Sequence, residues 1–144
     1  MFAGGIIFLP LTSTIFSNFR DRGYIFSKVI SLIFISYAVF IISWLKLLPF
    51  SQIEILLTAV LFAAINIYLA RKTKFIESIK NNYRLFVFEE VIFIAGLLLW
   101  SFVRGNLPEI NGLEKFMDFG FVNSILRSTY FPPVDMWYPP LPIN

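Results

Sequence analysis

Residues 29–45 read VISLIFISYAVFIISWL, a stretch without a single charge, closed by Lys28 on one side and Lys46 on the other. As a helix rising 1.5 Å per residue it is about 25 Å long, nearly enough to cross a hydrocarbon core about 30 Å thick. Working outward, the segment extends over about 24–48, where Pro49 stops it. Before it, 1–19 is uncharged, with Pro10 in the middle and Arg20, Asp21, Arg22 and Gly23 closing it. A secretory signal peptide is the rival reading, but that needs basic residues ahead of its apolar core, and here they follow. The segment therefore reads as a membrane helix kinked at Pro10, with a start misplaced inside a longer protein as the other alternative. A third segment, 53–70, begins with Glu54 at the interface and carries one amide, Asn66. A fourth, 85–103, holds Glu89 and Glu90 and ends in Trp100 and Arg104, an aromatic and a cation suited to the headgroup level.

The composition agrees. Hydrophobic residues make up 58% of the chain and charged ones 15%, against about 25% charged in an average soluble domain. The expected fold is an all-α membrane protein: about four transmembrane helices over 1–103, then an external segment, 104–144, with a juxtamembrane helix and a Pro-rich tail. The net charge of +3 is concentrated in the connections, so it reports topology before any polyanionic partner, and nucleic-acid binding is not expected. Cysteine and histidine are both absent. That excludes disulfides, thiolate chemistry and the commonest general base, leaving carboxylates, Lys, Tyr and hydroxyls, with a hard oxygen-liganded cation for any metal.

Lys and Arg in the short connections set the orientation. Arg20, Arg22, Lys28, Arg71, Lys72, Lys74, Lys80 and Arg84 fall on one side, against Lys46, Arg104, Lys115 and Arg127 on the other. The positive-inside rule then places the N-terminus and the tail outside the cytoplasm, in a multi-pass cell-membrane protein.

The tail carries six of the eight prolines and four of the nine acids, and is the one region that looks like a site. Its proline-free part, 112–128, predicts a helix with Asn111 as N-cap. Glu114 and Asp118, four residues apart, face the same way, which costs a few tenths of a kcal/mol unless a cation such as Lys115 intervenes. Two readings stand: a solvated face with an internal ion pair, or an acidic surface that coordinates a divalent cation (Mg or Mn) or takes a proton from an acceptor hydroxyl. Pro132, Pro133, Asp135 and Trp137 describe a stiff turn presenting an acid and an aromatic together. Arg127 with Asp135, and Arg104 with Glu109, are candidate surface pairs. Within segment four an unpaired charge is costly, so Glu89 and Glu90 should snorkel, pair with Arg84 or Lys80, or meet Asn66.

The string GLEKFMDFGFVNSILRSTYFPPVDMW, 112–137, adds a resemblance. It resembles the prokaryotic membrane proteins named for a Tyr-Tyr-Tyr run, domain of unknown function 2298, through the pattern EKFMDF…N.ILR…PP.D.W. DRGY at 21–24, LLPF at 47–50 and the acidic start of segment four are also similar. That family is similar in architecture to GT-C glycosyltransferases, which use lipid-phosphate-linked sugars outside the cytoplasm and carry an essential carboxylate in an early external loop. The resemblance implies Asp118 as the catalytic or metal-binding acid, Glu114 as its partner and Asp135 in reserve, with a polyprenyl-phosphate sugar as donor. The competing reading is a non-enzymatic scaffold or transport subunit. After Trp137 the resemblance implies a glycine turn and the tyrosine run, whereas the chain reads YPPLPIN. The expectation is an N-terminal fragment, inert without further C-terminal helices or a partner subunit.

Overall fold

The computed structural model of the protein describes residues 2–72, 75–106, 109 and 113–143; within these, the side chains of 72, 75–81, 113 and 114 lie outside the description. The topological charges of Lys72, Lys74 and Lys80 therefore fall outside the described side chains. Five helices follow in order: α1 (Phe2–Ile15), α2 (Tyr24–Trp44), α3 (Gln52–Lys72), α4 (Phe75–Gly105) and α5 (Leu113–Arg127). Among the described residues there is no strand, and an isolated bridge joins Val134 to Pro142.

Among the described residues, three stretches are long and apolar enough to cross a membrane: Tyr24–Trp44, Gln52–Arg71 and Asn82–Gly105. The first segment differs from the expectation of a crossing over 1–19, because α1 is 14 residues long, about 21 Å by its rise. The chain turns instead through 16–23 and enters α2 at Gly23, whose φ of 75° suits a residue without a Cβ. A β-carbon there would also stand 2.6 Å from the Phe16 ring. Short as it is, α1 is well seated. Phe8 packs its ring against Phe34 and Phe62, at 5.9 and 5.1 Å, and the Leu11 N–H donates to Asn66 Oδ1 at 3.2 Å. Gly4 and Gly5 let its backbone approach Ser31 and Lys28, where added methyls would lie 2.5 and 2.8 Å from the nearest side-chain atoms. Hence α1 covers the first half of α2 and the second half of α3.

The three long helices alternate in direction. Phe34 of α2 meets Phe62 of α3 across an antiparallel pair, and Lys28, one turn into α2, reaches Glu90, near the start of the α4 span. One end of the bundle therefore gathers the start of α2 and the end of α3. The other gathers the α2–α3 turn and the end of α4.

The core is inverted relative to a soluble domain. Phe8, Leu9, Tyr24 and Val39 are its buried apolar side chains, whereas Thr12, Ser13, Ser27, Lys28, Ser31, Ser43, Glu54, Thr58 and Asn66 are buried and polar. Large apolar residues such as Leu32, Ile33, Leu56, Leu61, Leu98 and Phe102 point outward. In water this arrangement would forfeit the hydrophobic driving force; in hydrocarbon it places polar groups where the bundle can satisfy them. Several hydroxyls bond within their own helix: Ser27 to the Tyr24 carbonyl at 2.6 Å, Ser31 to Lys28 at 2.8 Å and Thr12 to Leu9 at 3.0 Å.

Candidate functional site

α5 spans Leu113–Arg127, within one residue of the proline-free stretch at either end. Asn111, the expected cap, lies outside the described residues. Past α5 the chain is tied to the bundle. The Phe131 N–H donates to Ser43 Oγ at 3.3 Å, the Phe50 N–H donates to the Thr129 carbonyl at 2.7 Å, and the Phe131 ring meets Phe40 and Phe50 edge-on at 5.4 and 5.2 Å. The remaining tail doubles back on itself through Asp135 N–H to Leu141 O at 2.7 Å and Ile143 N–H to Pro133 O at 2.9 Å. Asp135 Oδ1 accepts the N–H groups of Trp137 and Tyr138 at 2.7 and 3.2 Å, an Asx turn that fixes the carboxylate. This folded tail lies on α5: Ser124 Oγ donates to the Val134 carbonyl, Trp137 stands edge-on to Phe121 at 5.7 Å, and Met136 lies over Gly120, where a methyl would come 2.8 Å from its Cε.

Between α5 and the tail opens a cleft of about 1040 Å³, lined by aromatic rings (Phe116, Phe119, Tyr130, Trp137), small polar groups (Asn123, Ser124, Ser128) and the charged pair Arg127 and Asp135. Beneath it an apolar groove of about 450 Å³ runs along α2, from Ser31 and Leu32 through Ile35, Val39 and Phe40 to Phe50, Ile125 and Phe131. The segment 128–132 forms the shared wall: Phe131 lines the groove, and its neighbours Tyr130 and Pro132 line the cleft. A polar, aromatic chamber and an oily channel thus meet at one end of the bundle.

Of the three acids singled out in the sequence, the two whose side chains are described, Asp118 and Asp135, are not brought together in the cleft. Asp135 is half-buried and lines the cleft; Asp118 is exposed on α5 and is not among the lining residues; the Glu114 side chain lies outside the described residues. Among the described residues no three acidic groups converge. A divalent cation takes about six oxygens, and of the expected pair Asp118 and Glu114 the described side chain is that of Asp118. Arg127 and Asp135 share the cleft without forming an ion pair.

At the opposite end Glu90 is partnered by neither Asn66 nor Arg84, and the Lys80 side chain lies outside the described residues. Glu90 accepts from Lys28 Nζ and from the Tyr24 hydroxyl, the latter at 2.9 Å, while Lys28 Nζ also lies 4.0 Å from the Phe93 ring centroid. Lys28 is 1% exposed, so a residue read as an interfacial charge is instead an interhelical lock. Its position one turn inside an apolar run was the available signal. Glu54, expected at the interface, is 1% exposed, and neither of its oxygens has a protein partner. The spacing Ser51-x-x-Glu54 is that of a capping box, of which half forms: Ser51 Oγ accepts the Glu54 N–H at 3.3 Å, but the carboxylate turns inward.

No curated protein and no solved structure matches the chain. A family described as uncharacterized membrane protein, domain of unknown function 2298, matches residues 34–144, from the middle of α2 through the folded tail that walls both cavities. That match embraces the second half of α2, all of α3 to α5 and the cleft itself, so the chain belongs to the membrane-protein family of domain of unknown function 2298.

Proposed function

We propose that the cleft and the groove beneath it bind a polyprenyl-phosphate-linked sugar, and that the protein acts in glycosyl transfer of the GT-C type on the outer face of the cell membrane. The observation that carries the reading is the shared wall at 128–132, which joins a chamber suited to a sugar to a channel suited to a prenyl chain. Aromatic rings offer flat apolar faces to pyranose rings, and Arg127 offers forked donors to a phosphate at the mouth. Asp135, held by two backbone N–H groups, is the acid placed to take a proton. In that step the acceptor oxygen bonds to the sugar's anomeric carbon. The bond from that carbon to the phosphate oxygen breaks with its electron pair, the phosphate leaves against Arg127, and the hydroxyl proton passes to Asp135. Asp118 and Glu114 lie on the same helix as the cleft wall and belong, in this reading, to acceptor binding. The acceptor half of the site is supplied by further helices or a partner subunit, to which α4, with none of its span buried, offers its surface.

Photocrosslinking with a benzophenone-bearing prenyl phosphate tests the binding step. Adducts are expected at Val39, Phe40 and Phe131, with Arg127→Gln weakening capture about tenfold, the worth of one charge-assisted hydrogen bond. Adducts spread over the outer faces of α3 and α4, or capture indifferent to Arg127, would overturn the assignment and leave the scaffold or transport reading.

A further inference from the structure

At the end of the bundle away from the tail, a second cleft of about 560 Å³ lies between the α1–α2 connection and the beginning of the α4 span, lined by Arg20, Asn82, Tyr83, Arg84, Leu85 and Phe88. Two guanidinium groups brought from distant parts of the sequence line it, and among the described residues no acidic side chain does. Both arginines are solvent-exposed, and neither enters an ion pair among the described residues. Asp21, next to Arg20, and Glu89, next to Phe88, are the acids nearest in sequence and neither lines the cleft, while Glu90 is already engaged by Lys28 and Tyr24. Arg84 is steadied where it stands: its Nε donates to the Tyr83 hydroxyl at 3.2 Å, and its Cζ lies 5.9 Å from the Tyr83 ring centroid.

The level of the cleft narrows the choice of ligand. Asn82 opens the apolar span Asn82–Gly105, so the guanidinium groups sit where headgroups begin, and Phe88, 61% exposed, continues the wall into hydrocarbon. A soluble anion would use the two arginines and leave Leu85 and Phe88 idle. A zwitterionic lipid would bring its own cation to a site that already has two. We infer that this cleft is a binding site for one anionic phospholipid, its phosphate held between Arg20 and Arg84 and an acyl chain lying on Leu85 and Phe88. Arginine suits the role because its planar fork meets phosphate oxygens in pairs and is more weakly hydrated than an ammonium group. The inference is independent of the glycosyl-transfer reading, since the two cavities lie at opposite ends of the bundle.

The test is lipid retention by the purified 144-residue chain in neutral maltoside micelles, titrated with phosphatidylglycerol or phosphatidylcholine and read by native mass spectrometry. Two arginines near a headgroup predict a preference for phosphatidylglycerol of about thirtyfold. The double variant Arg20→Gln/Arg84→Gln is expected to abolish it. Arg20→Lys/Arg84→Lys keeps the charge without the fork and is expected to fall between, which guards against a loss caused by misfolding. Lys46→Gln, at the other end of the bundle, is expected to leave the preference intact. Equal retention of the two lipids, an undiminished preference in the double variant, an equal loss from Lys46→Gln, or displacement of the lipid by millimolar inorganic phosphate would each overturn the inference.

Discussion

Two glutamates of the same bundle, Glu54 buried and Glu90 half-buried, stand in opposite energetic positions. Glu90 receives both the Lys28 ammonium and the Tyr24 hydroxyl, so removing one member strands a charge in a poorly solvating interior. Glu54 has no protein partner for either oxygen, so the folded state already bears the cost of taking that carboxyl out of water. Substitution should therefore act with opposite sign at the two positions. Lys28→Met or Glu90→Leu alone is expected to cost about 2 kcal/mol, less than for a fully enclosed pair because Glu90 keeps 19% of its exposure, and the double variant should recover most of it. Glu54→Met is expected to gain about 1 kcal/mol. Unfolding in mixed micelles, followed by tryptophan fluorescence, measures all four. A destabilised Glu54→Met chain would mean that the carboxyl has an occupant in the folded protein, and additive losses at 28 and 90 would mean that the lock carries no coupling.

At the scale of helices, the ends were harder to read than the middles, and α2 shows why. Pro49 suggested a stop at 48, yet the helix closes at Trp44. The Leu47 N–H reaches back to the Ile42 carbonyl and the Lys46 N–H to Ser43, both at 3.1 Å, while Lys46 adopts φ 57°. This is a Schellman stop with lysine where glycine usually sits, and no sequence rule for glycine caps finds it. Lys46→Gly should then stabilise the chain by about 1 kcal/mol, because glycine occupies the left-handed region without a Cβ clash. A lower unfolding midpoint in the same micelle assay would show instead that the lysine side chain holds the turn. The apolar middles of α2, α3 and α4 were legible because a long run without charge has few alternatives to a membrane helix. The extent of α5 followed from where prolines are missing. Asp135 was singled out in the sequence, but its placement against α5 and the pairing of Lys28 with Glu90 were not legible, because each depends on segments brought together only by the fold, and a helical wheel holds no such information.

For the whole molecule, sidedness is the property on which most depends, and its relative and absolute parts can be separated. The contacts of Phe131 with Ser43 and of Phe50 with Thr129 hold the tail at the α2–α3 turn, and the Lys28–Glu90 lock sits at the other end. Lys46 and Asn106 must therefore share one side of the membrane, and Arg22 and Arg71 the other, whichever way the bundle is inserted. By the positive-inside rule, the excess of Lys and Arg in the connections holding Arg22 and Arg71 predicts that this side faces the cytoplasm. Single cysteines can be introduced at all four positions without background, since the chain has none of its own. A membrane-impermeant maleimide applied to intact cells should label cysteines at 46 and 106, and should reach those at 22 and 71 only after permeabilisation. Labelling of 22 and 71 alone would invert the orientation, place the cleft in the cytoplasm and remove the outer-face transfer reading, while leaving the bundle intact. Opposite labelling of 46 and 106 would be the more serious result, because α4 would then not cross alongside α2, and the lock between Lys28 and Glu90 could not form in the membrane.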